Sequence, residues 1–343
     1  MTDTKKEHYV PRCYLKNFIA EDSRIFVYDK KLMQRRKQKI IDVAMENYFY
    51  DIDFNAIVNN TDPLKTEKLK ADILCITGCS DWENVLTTYL NKKYLEKEFL
   101  MHVEDLFSVA LNRIIKKSYG GNQWVIDNCL AFSDEDKLWM SLFAAIQVVR
   151  TKYLRDRIEE LTVKLPQVLS SKIDPKLSES EDGEQLVIRA NEDYVKLQHS
   201  SMILDERRIC ELAETLYNHI WVMCINKADK KFYTSDNPIG TIPHLYSEHG
   251  DNCGFASEGV EVVFPISPEL LIGMYDKKIF SKVFCDRQFH VISKAEEIED
   301  YNRLQVYNSS RCIFSSMEDC ALAESMCKQY PEIRDAKNRL VVT

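Results

Sequence analysis

The sequence predicts an α+β protein, with a predominantly helical middle and a β-rich C-terminal third packed back on the N-terminal segment. Three observations carry this. Through much of residues 64–227 apolar side chains recur at three- and four-residue steps, the period of amphipathic helices. Beyond about residue 230 the period shortens to that of strands. The extreme N-terminus, where chains are usually polar and frayed, holds the bulky stretch His8-Tyr9-Val10-Pro11-Arg12-Cys13-Tyr14-Leu15-Lys16-Asn17-Phe18. An end so rich in aromatics must be docked.

Tyr14, Leu15 and Phe18 share one helical face, so a short docked helix is expected within 8–20. Residues 24–29 alternate and read as a strand, closed by a basic turn from Lys30 to Lys39, with the aromatic knot Glu46–Asp51 after it. Leu95, Phe99, His102, Val103, Leu106, Phe107 and Ala110 mark an amphipathic helix with His102 on its core face. Ser133, followed by Asp134, Glu135 and Asp136, has the form of a capped helix start. That helix is expected to turn Leu138, Leu142, Ile146, Val149 and Tyr153 inward. Residues 171–187 are polar and punctuated by Pro and Gly, and read as an exposed loop. Lys231–Ser235, Gly259–Ile266, Leu270–Tyr275 and Arg311–Ser315 are strand-like, with turns at Pro238 and Pro268. Residues 1–316 are therefore read as one α+β domain: a docked motif (8–51), a helical region (64–227) and a β-rich region (230–316). Residues 317–343 form a C-terminal tail or helix.

A chain of 343 residues, 45% hydrophobic, can bury a large core. Its formal charge of −8 argues against a generic nucleic-acid coat, although a local basic groove can sit on an acidic surface. No run reaches the roughly 18 apolar residues that span a bilayer, and Met1–Glu7 has no apolar signal-peptide core. A cytoplasmic protein with no membrane association is expected. The eleven cysteines are scattered, without a Cys-x-x-Cys pair, and read as buried thiols acting as small hydrophobes. Glycine-rich phosphate loops are missing, which argues against P-loop and Rossmann nucleotide binding.

Five blocks run in order along the chain: His8-x-x-Pro11-x-x-Tyr14-Leu15-x-x-Phe18 with Asn47-Tyr48-Phe49-Tyr50; Phe143-x-x-x-Gln147-x-x-Arg150-Thr151; Tyr233-Thr234-Ser235-Asp236-Asn237-Pro238; Phe264-Pro265-Ile266-Ser267-Pro268; and Asn302 with Arg311–Ser315. Across residues 8–316 this pattern resembles the bacterial domain of unknown function 4238 family (DUF4238). Lys152 departs from it, since proline usually follows Arg-Thr there; lysine lets the helix continue. The resemblance implies no agreed activity, and an accessory or phage-defence setting.

The candidate site follows from residue chemistry. His8 titrates near neutrality and can serve as a general base, general acid or metal ligand. Asp236 and Asn237 lie at a strand end, where loops carry functional groups; an Asx-turn explains them equally. Gln147 and Arg150 sit one turn apart on an otherwise apolar helix, where they need partners. Arg150 suits a bidentate grip on phosphate; an internal salt bridge to Glu104 or Asp236 is the structural alternative. The run from Lys30 to Lys39, Lys37 included, holds six positive charges and is the one local feature able to draw in a phosphate backbone.

Two readings stand side by side. In the first, the protein is a nuclease-like hydrolase acting on a phosphodiester. His8, Asp236 and Glu104 are catalytic, Asp236 and Glu104 hold Mg²⁺, and Gln147, Arg150, Asn237, Asn302, Arg311 and Lys37 bind a nucleic acid or nucleotide. In the second, the same residues are structural parts of a non-catalytic sensing or interaction module, with a protein partner or a second copy of the chain.

Overall fold

The computed structural model describes residues 6–53, 63–89, 94–120, 123–173, 190–245 and 253–336. The docked motif opens with strand β1 (Lys6–His8). A single turn, α1 (Arg12–Leu15), follows Pro11 and passes into a 3-10 turn at Lys16–Phe18. His8 thus ends a strand instead of starting a helix, because Pro11 lacks the N–H to continue one. Strands β2 (Ile25–Asp29) and β3 (Gln34–Gln38) form a hairpin, and β4 (Met45–Asn47) pairs antiparallel with β1. The expected basic turn is thus largely the strand β3.

The helical region comprises α2 (Pro63–Thr77), α3 (Trp82–Thr88), a π-helical turn (Tyr94–Leu100), α4 (Met101–Gly120), α5 (Gln123–Asn128) and α6 (Asp134–Val149). Then come α7 (Lys152–Ile173), α8 (Glu192–Leu204) and α9 (Glu206–Tyr217). Helix α7 runs into the start of the expected exposed loop, whose residues 174–187 lie outside the described residues. On α4, Phe107, Ala110, Leu111 and Ile114 face the core, whereas His102 is exposed, with Nδ1 2.6 Å from the Glu98 carbonyl. The π-helical turn before α4 alters the phase of the helical face, which the 3.6-residue period did not anticipate.

Ser133 accepts the Asp136 N–H and Asp136 returns the bond to the Ser133 N–H, a complete capping box for α6. Met140, Phe143, Ala144, Ile146 and Gln147 are buried on α6, while Leu138 is exposed. Lys137 points inward instead, donating to the His219 carbonyl and to Asp286 at 2.9 Å each. The helix does not continue through Lys152. Arg150 closes it, and the Thr151 hydroxyl accepts the Leu154 N–H at 3.3 Å, capping α7.

The rest of the chain supplies β5 (Ile220–Asn226), β6 (Thr234–Ser235), β7 (Gly240–Pro243), β8 (Val260–Ser267), β9 (Leu270–Tyr275), α10 (Lys277–Phe280) and β10 (Gln288–Ile292). After these come α11 (Ala295–Asn308), β11 (Cys312–Ser315) and α12 (Ala321–Gln329). Strand β5 falls inside the region expected to be helical. The five-stranded sheet runs β10-β5-β9-β8-β7, with β10 parallel to β5 and the other pairs antiparallel. A four-stranded antiparallel sheet runs β3-β2-β11-β6.

The five-stranded sheet is covered on both faces, with side chains alternating as the pleat requires. Trp221, Met223, Phe264, Ile272 and Met274 join the large core shared with α4 and α6. Val222, Cys224, Val263 and Leu271 pack against Ile298 of α11. The N-terminal motif is held to this core by Tyr14. Its ring lies 5.3 Å from that of Phe264, and its hydroxyl reaches the Pro265 carbonyl at 2.5 Å and Thr234 Oγ1 at 2.6 Å. Burial of an aromatic with a satisfied hydroxyl contributes a few kcal/mol, on the order of 2–3.

The α6 cap offers a direct check: Ser133→Ala should lower unfolding free energy by about 1 kcal/mol in urea titration, and Ser133→Asn should retain most of it. Equal stabilities for wild type and Ser133→Ala would show that the cap contributes nothing.

Candidate functional site

The end of α6 grips the N-terminal strand. Gln147 Nε2 donates to the Tyr9 carbonyl at 3.1 Å. Arg150, fully buried, donates from Nη2 to the His8 carbonyl at 2.5 Å and from Nη1 to Glu104 Oε1 at 2.8 Å. Four of the residues singled out from the sequence, His8, Glu104, Gln147 and Arg150, therefore converge. Three that sequence reasoning did not assign join them. Glu7 is buried and accepts the Tyr50 N–H at 2.6 Å; Glu96 accepts the His8 N–H; the Tyr50 hydroxyl faces the Arg150 guanidinium.

Burial sets the charges here. Burial, with Arg12 and Arg150 beside it, pushes the His8 imidazole down to about 4, so it is neutral at physiological pH. Burial raises Glu7 and Glu96 to about 7, against the pull of the Tyr50 N–H on Glu7 and of Arg150 on Glu96. Burial also opposes the charge on Arg150, but Tyr50, Glu104 and Glu96 outweigh it, and the guanidinium stays protonated. Around this cation, five buried polar atoms make no well-formed hydrogen bond among the described residues: His8 Nε2, Tyr50 Oη, Glu96 Oε2, Gln147 Oε1 and Arg150 Nε. The Tyr50 hydroxyl nevertheless interacts with the guanidinium, and the His8 imidazole with the Ile40 and Ile41 carbonyls. Buried polar groups are normally satisfied, and each exception has a cost of about 1–3 kcal/mol.

Asp236 belongs to a second, fully satisfied network. Its two carboxylate oxygens accept the N–H groups of Ser310, Arg311 and Cys312 at 2.7, 2.8 and 2.7 Å. Asn237 donates to the Asn308 carbonyl at 3.0 Å, and Asn302 accepts the Tyr233 N–H at 2.7 Å while donating to the Lys231 carbonyl. Ser235 and the Pro238 carbonyl both bond to Gln305. Arg311 holds the buried Asp29, with contacts from 2.8 to 3.1 Å. These bonds fasten β6 to α11 and β11. The two networks approach each other at Tyr9, whose hydroxyl is pushed upward by burial and by the Asp236 charge.

Lys37 lies apart, on β3, paired with Asp22 at 2.9 Å and set over the Phe26 ring. Its neighbours are also engaged: Lys30 with the Val306 and Ser309 carbonyls, Lys31 with Asp335, Arg35 with Glu324 and Arg36 with Asp29. With Asp236 saturated by N–H groups and Glu104 held by Arg150, the two carboxylates do not fit a shared Mg²⁺. Among the described residues, no three His, Cys, Asp or Glu side chains converge to hold a metal ion, and no helix is long and apolar enough to cross a membrane.

A family model described as "Protein of unknown function (DUF4238)" matches residues 6–319. The chain belongs to this family. No curated protein and no solved structure matches it. The DUF4238 match spans both networks and stops just short of α12. Of the residues missed from the DUF4238 chain's sequence, Tyr50 was visible as part of the aromatic knot. Glu96 was hidden within the charged turn Glu96-Lys97-Glu98, which reads as solvated.

Two experiments separate the networks. The folded state holds a proton on Glu96 between its ordinary value of 4.5 and about 7, where the unfolded chain has lost it. Its stabilising contribution is complete below pH 4.5 and is lost as pH rises toward 7. Glu96→Gln abolishes that titration, so the variant should gain stability relative to wild type as pH rises through this window in urea titrations. A pH-independent difference would place the Glu96 proton elsewhere. Asp236→Ala leaves three buried N–H groups unsatisfied and should lower unfolding free energy by about 3 kcal/mol or more. An Asp236→Ala protein as stable as wild type would return this residue to chemistry.

Proposed function

We propose that the protein is a hydrolase of a nucleotide-sized phosphodiester, with its acid–base centre at His8, Glu96 and Arg150. The observation that carries this reading is the convergence on Arg150 of buried polar atoms without well-formed hydrogen bonds. Neutral His8, facing the Ile40 and Ile41 carbonyls, has Nε2 without a well-formed hydrogen bond and can take a proton from water. Glu96, raised by burial to about 7, is part-protonated near neutral pH and can return a proton to the leaving oxygen. Arg150 supplies a permanent positive charge for the phosphoryl oxygens. General acid–base work of this type contributes about 10²–10⁴-fold to rate. A small substrate is favoured over a nucleic-acid strand, because the charges from Lys30 to Lys37 are already engaged by the protein's own acceptors.

The second reading, a non-catalytic binding module, draws on a separate observation: both Nη groups of Arg150 are occupied by the chain's own acceptors. The two readings separate at His8, whose contact with Arg150 runs through its carbonyl and not its imidazole. His8→Ala should therefore leave that hydrogen bond and keep the melting temperature within a few degrees of wild type. Hydrolysis of bis(p-nitrophenyl) phosphate and cyclic nucleotides, in the presence of EDTA, should fall by about 100-fold or more. Folded wild-type protein that hydrolyses none of these esters would leave the binding module as the reading that stands.

A further inference from the structure

We propose that the cavity bordered by Tyr48, Phe49, Lys152, Arg155 and Lys196 is a binding site for a mononucleotide, with the phosphate over Arg155 and the base against Tyr48. The inference does not rest on the reaction assigned to the Arg150 centre. The cavity has a volume of about 390 Å³, within the range of small-molecule sites. It lies between the segment after β4, helix α7 and the start of α8.

Its inner wall carries a buried cation with no carboxylate of the described residues in ion-pair contact. Arg155 is 8% exposed and donates only to neutral acceptors: His199 Nδ1, at 2.9 and 3.1 Å, and the Phe49 carbonyl. Among the described residues no carboxylate pairs with it, unlike Arg150, Arg157 and Arg311. A buried guanidinium left without an anion is costly, and an anion in the adjoining cavity removes that cost. Burial drives the Arg155 guanidinium down to about 10, although Tyr50 and the more distant Glu46, Asp156 and Glu7 pull the other way.

Lys152 and Lys196 add two cations at the same cavity. Their nearer partners, Glu46 at 2.7 Å and Glu192 at 3.1 Å, have side chains 43% and 82% exposed; the less exposed Asp156 and Asp193 stand further off, at 3.8 and 3.9 Å. Exposed pairs of this kind are worth little, so a phosphate can displace both carboxylates into water. Two further acids, Asp156 and Glu159, border the cavity, and Asp156 is engaged by the Ser310 hydroxyl at 3.1 Å.

Tyr48 supplies the flat surface. It adopts φ +57°, a left-handed conformation costly for a bulky residue. Its ring is half-exposed at the cavity, and its hydroxyl makes no hydrogen bond to another described residue. An aromatic held in strain with a free face is suited to base stacking, which is sequence-tolerant and worth about a tenfold or greater gain in affinity.

Isothermal titration of the full chain with adenosine 5′-monophosphate tests the site, with adenosine and inorganic phosphate as separate probes. The nucleotide should bind more tightly than either part. Lys196→Gln should weaken it by about tenfold, and Tyr48→Asn, which keeps the left-handed backbone comfortable, by a similar factor. Circular dichroism should show both variants folded, and Tyr48→Asn, relieved of the left-handed strain, should melt no lower than wild type. The proposal is overturned by absence of nucleotide binding at millimolar concentration, by binding indifferent to both substitutions, or by inorganic phosphate binding as tightly as the nucleotide.

Discussion

The buried guanidinium of Arg150 is the constraint around which the N-terminal half is arranged. Arginine cannot shed its proton inside a protein, so a fully buried one must be met by acceptors from whatever surrounds it. Here these come from two distant segments: the His8 carbonyl at the end of β1 and Glu104 on α4. A strand of three residues paired only to another of three has little stability of its own. Arg150 and Gln147 make it part of the core by occupying its carbonyls. Thr151 completes the arrangement by ending α6 and starting α7, which leaves Arg150 at a helix end where its side chain reaches the strand.

The C-terminal half depends on the same principle with a different outcome. Asp236 is a buried carboxyl, pushed upward by burial, and three N–H groups from one turn of chain pull the other way by donating to its two oxygens. Tyr14 links the two halves, since one hydroxyl bridges the N-terminal motif, Thr234 beside Asp236 and the Pro265 carbonyl on β8. Two sequence blocks thus meet a third, more than two hundred residues earlier in the chain, at one phenol. That meeting explains why the stretch from His8 to Phe18 carries Tyr9, Tyr14 and Phe18 so near the start of the chain.

Much of this was legible in the sequence, and the exceptions have physical causes. The capped start at Ser133, the strands at 260–267 and 270–275 and the buried Tyr14, Leu15 and Phe18 follow from local chemistry. Strand β5 did not, because all seven of its residues are buried, and a strand covered on both faces loses the alternation that marks it. On α6 the simple apolar count assigned Leu138 inward. It could not foresee that Lys137 would be drawn in by Asp286, an acid 149 residues away. The same limit applies to the site. His8, Glu104, Gln147 and Arg150 were recognisable as polar groups needing partners, whereas Glu96 gains its buried environment from packing against the N-terminal strand.

The contrast between the two networks bears on function. Around Asp236 both carboxylate oxygens, the Asn302 and Gln305 amides and the Ser235 hydroxyl have partners, so this fold is capable of satisfying buried polar groups. Around Arg150 the same chain leaves five polar atoms without well-formed hydrogen bonds among the described residues. A partly satisfied buried network is less stable than either a complete one or an apolar replacement. Structural fastening accounts for the carbonyl contacts of Arg150 and Gln147 but not for a neutral imidazole, a raised carboxyl and a phenol turned toward the same cation. A ligand or a reaction that engages these acid–base groups would account for keeping them at that cost, and this contrast is the basis of the function proposed for the Arg150 cluster.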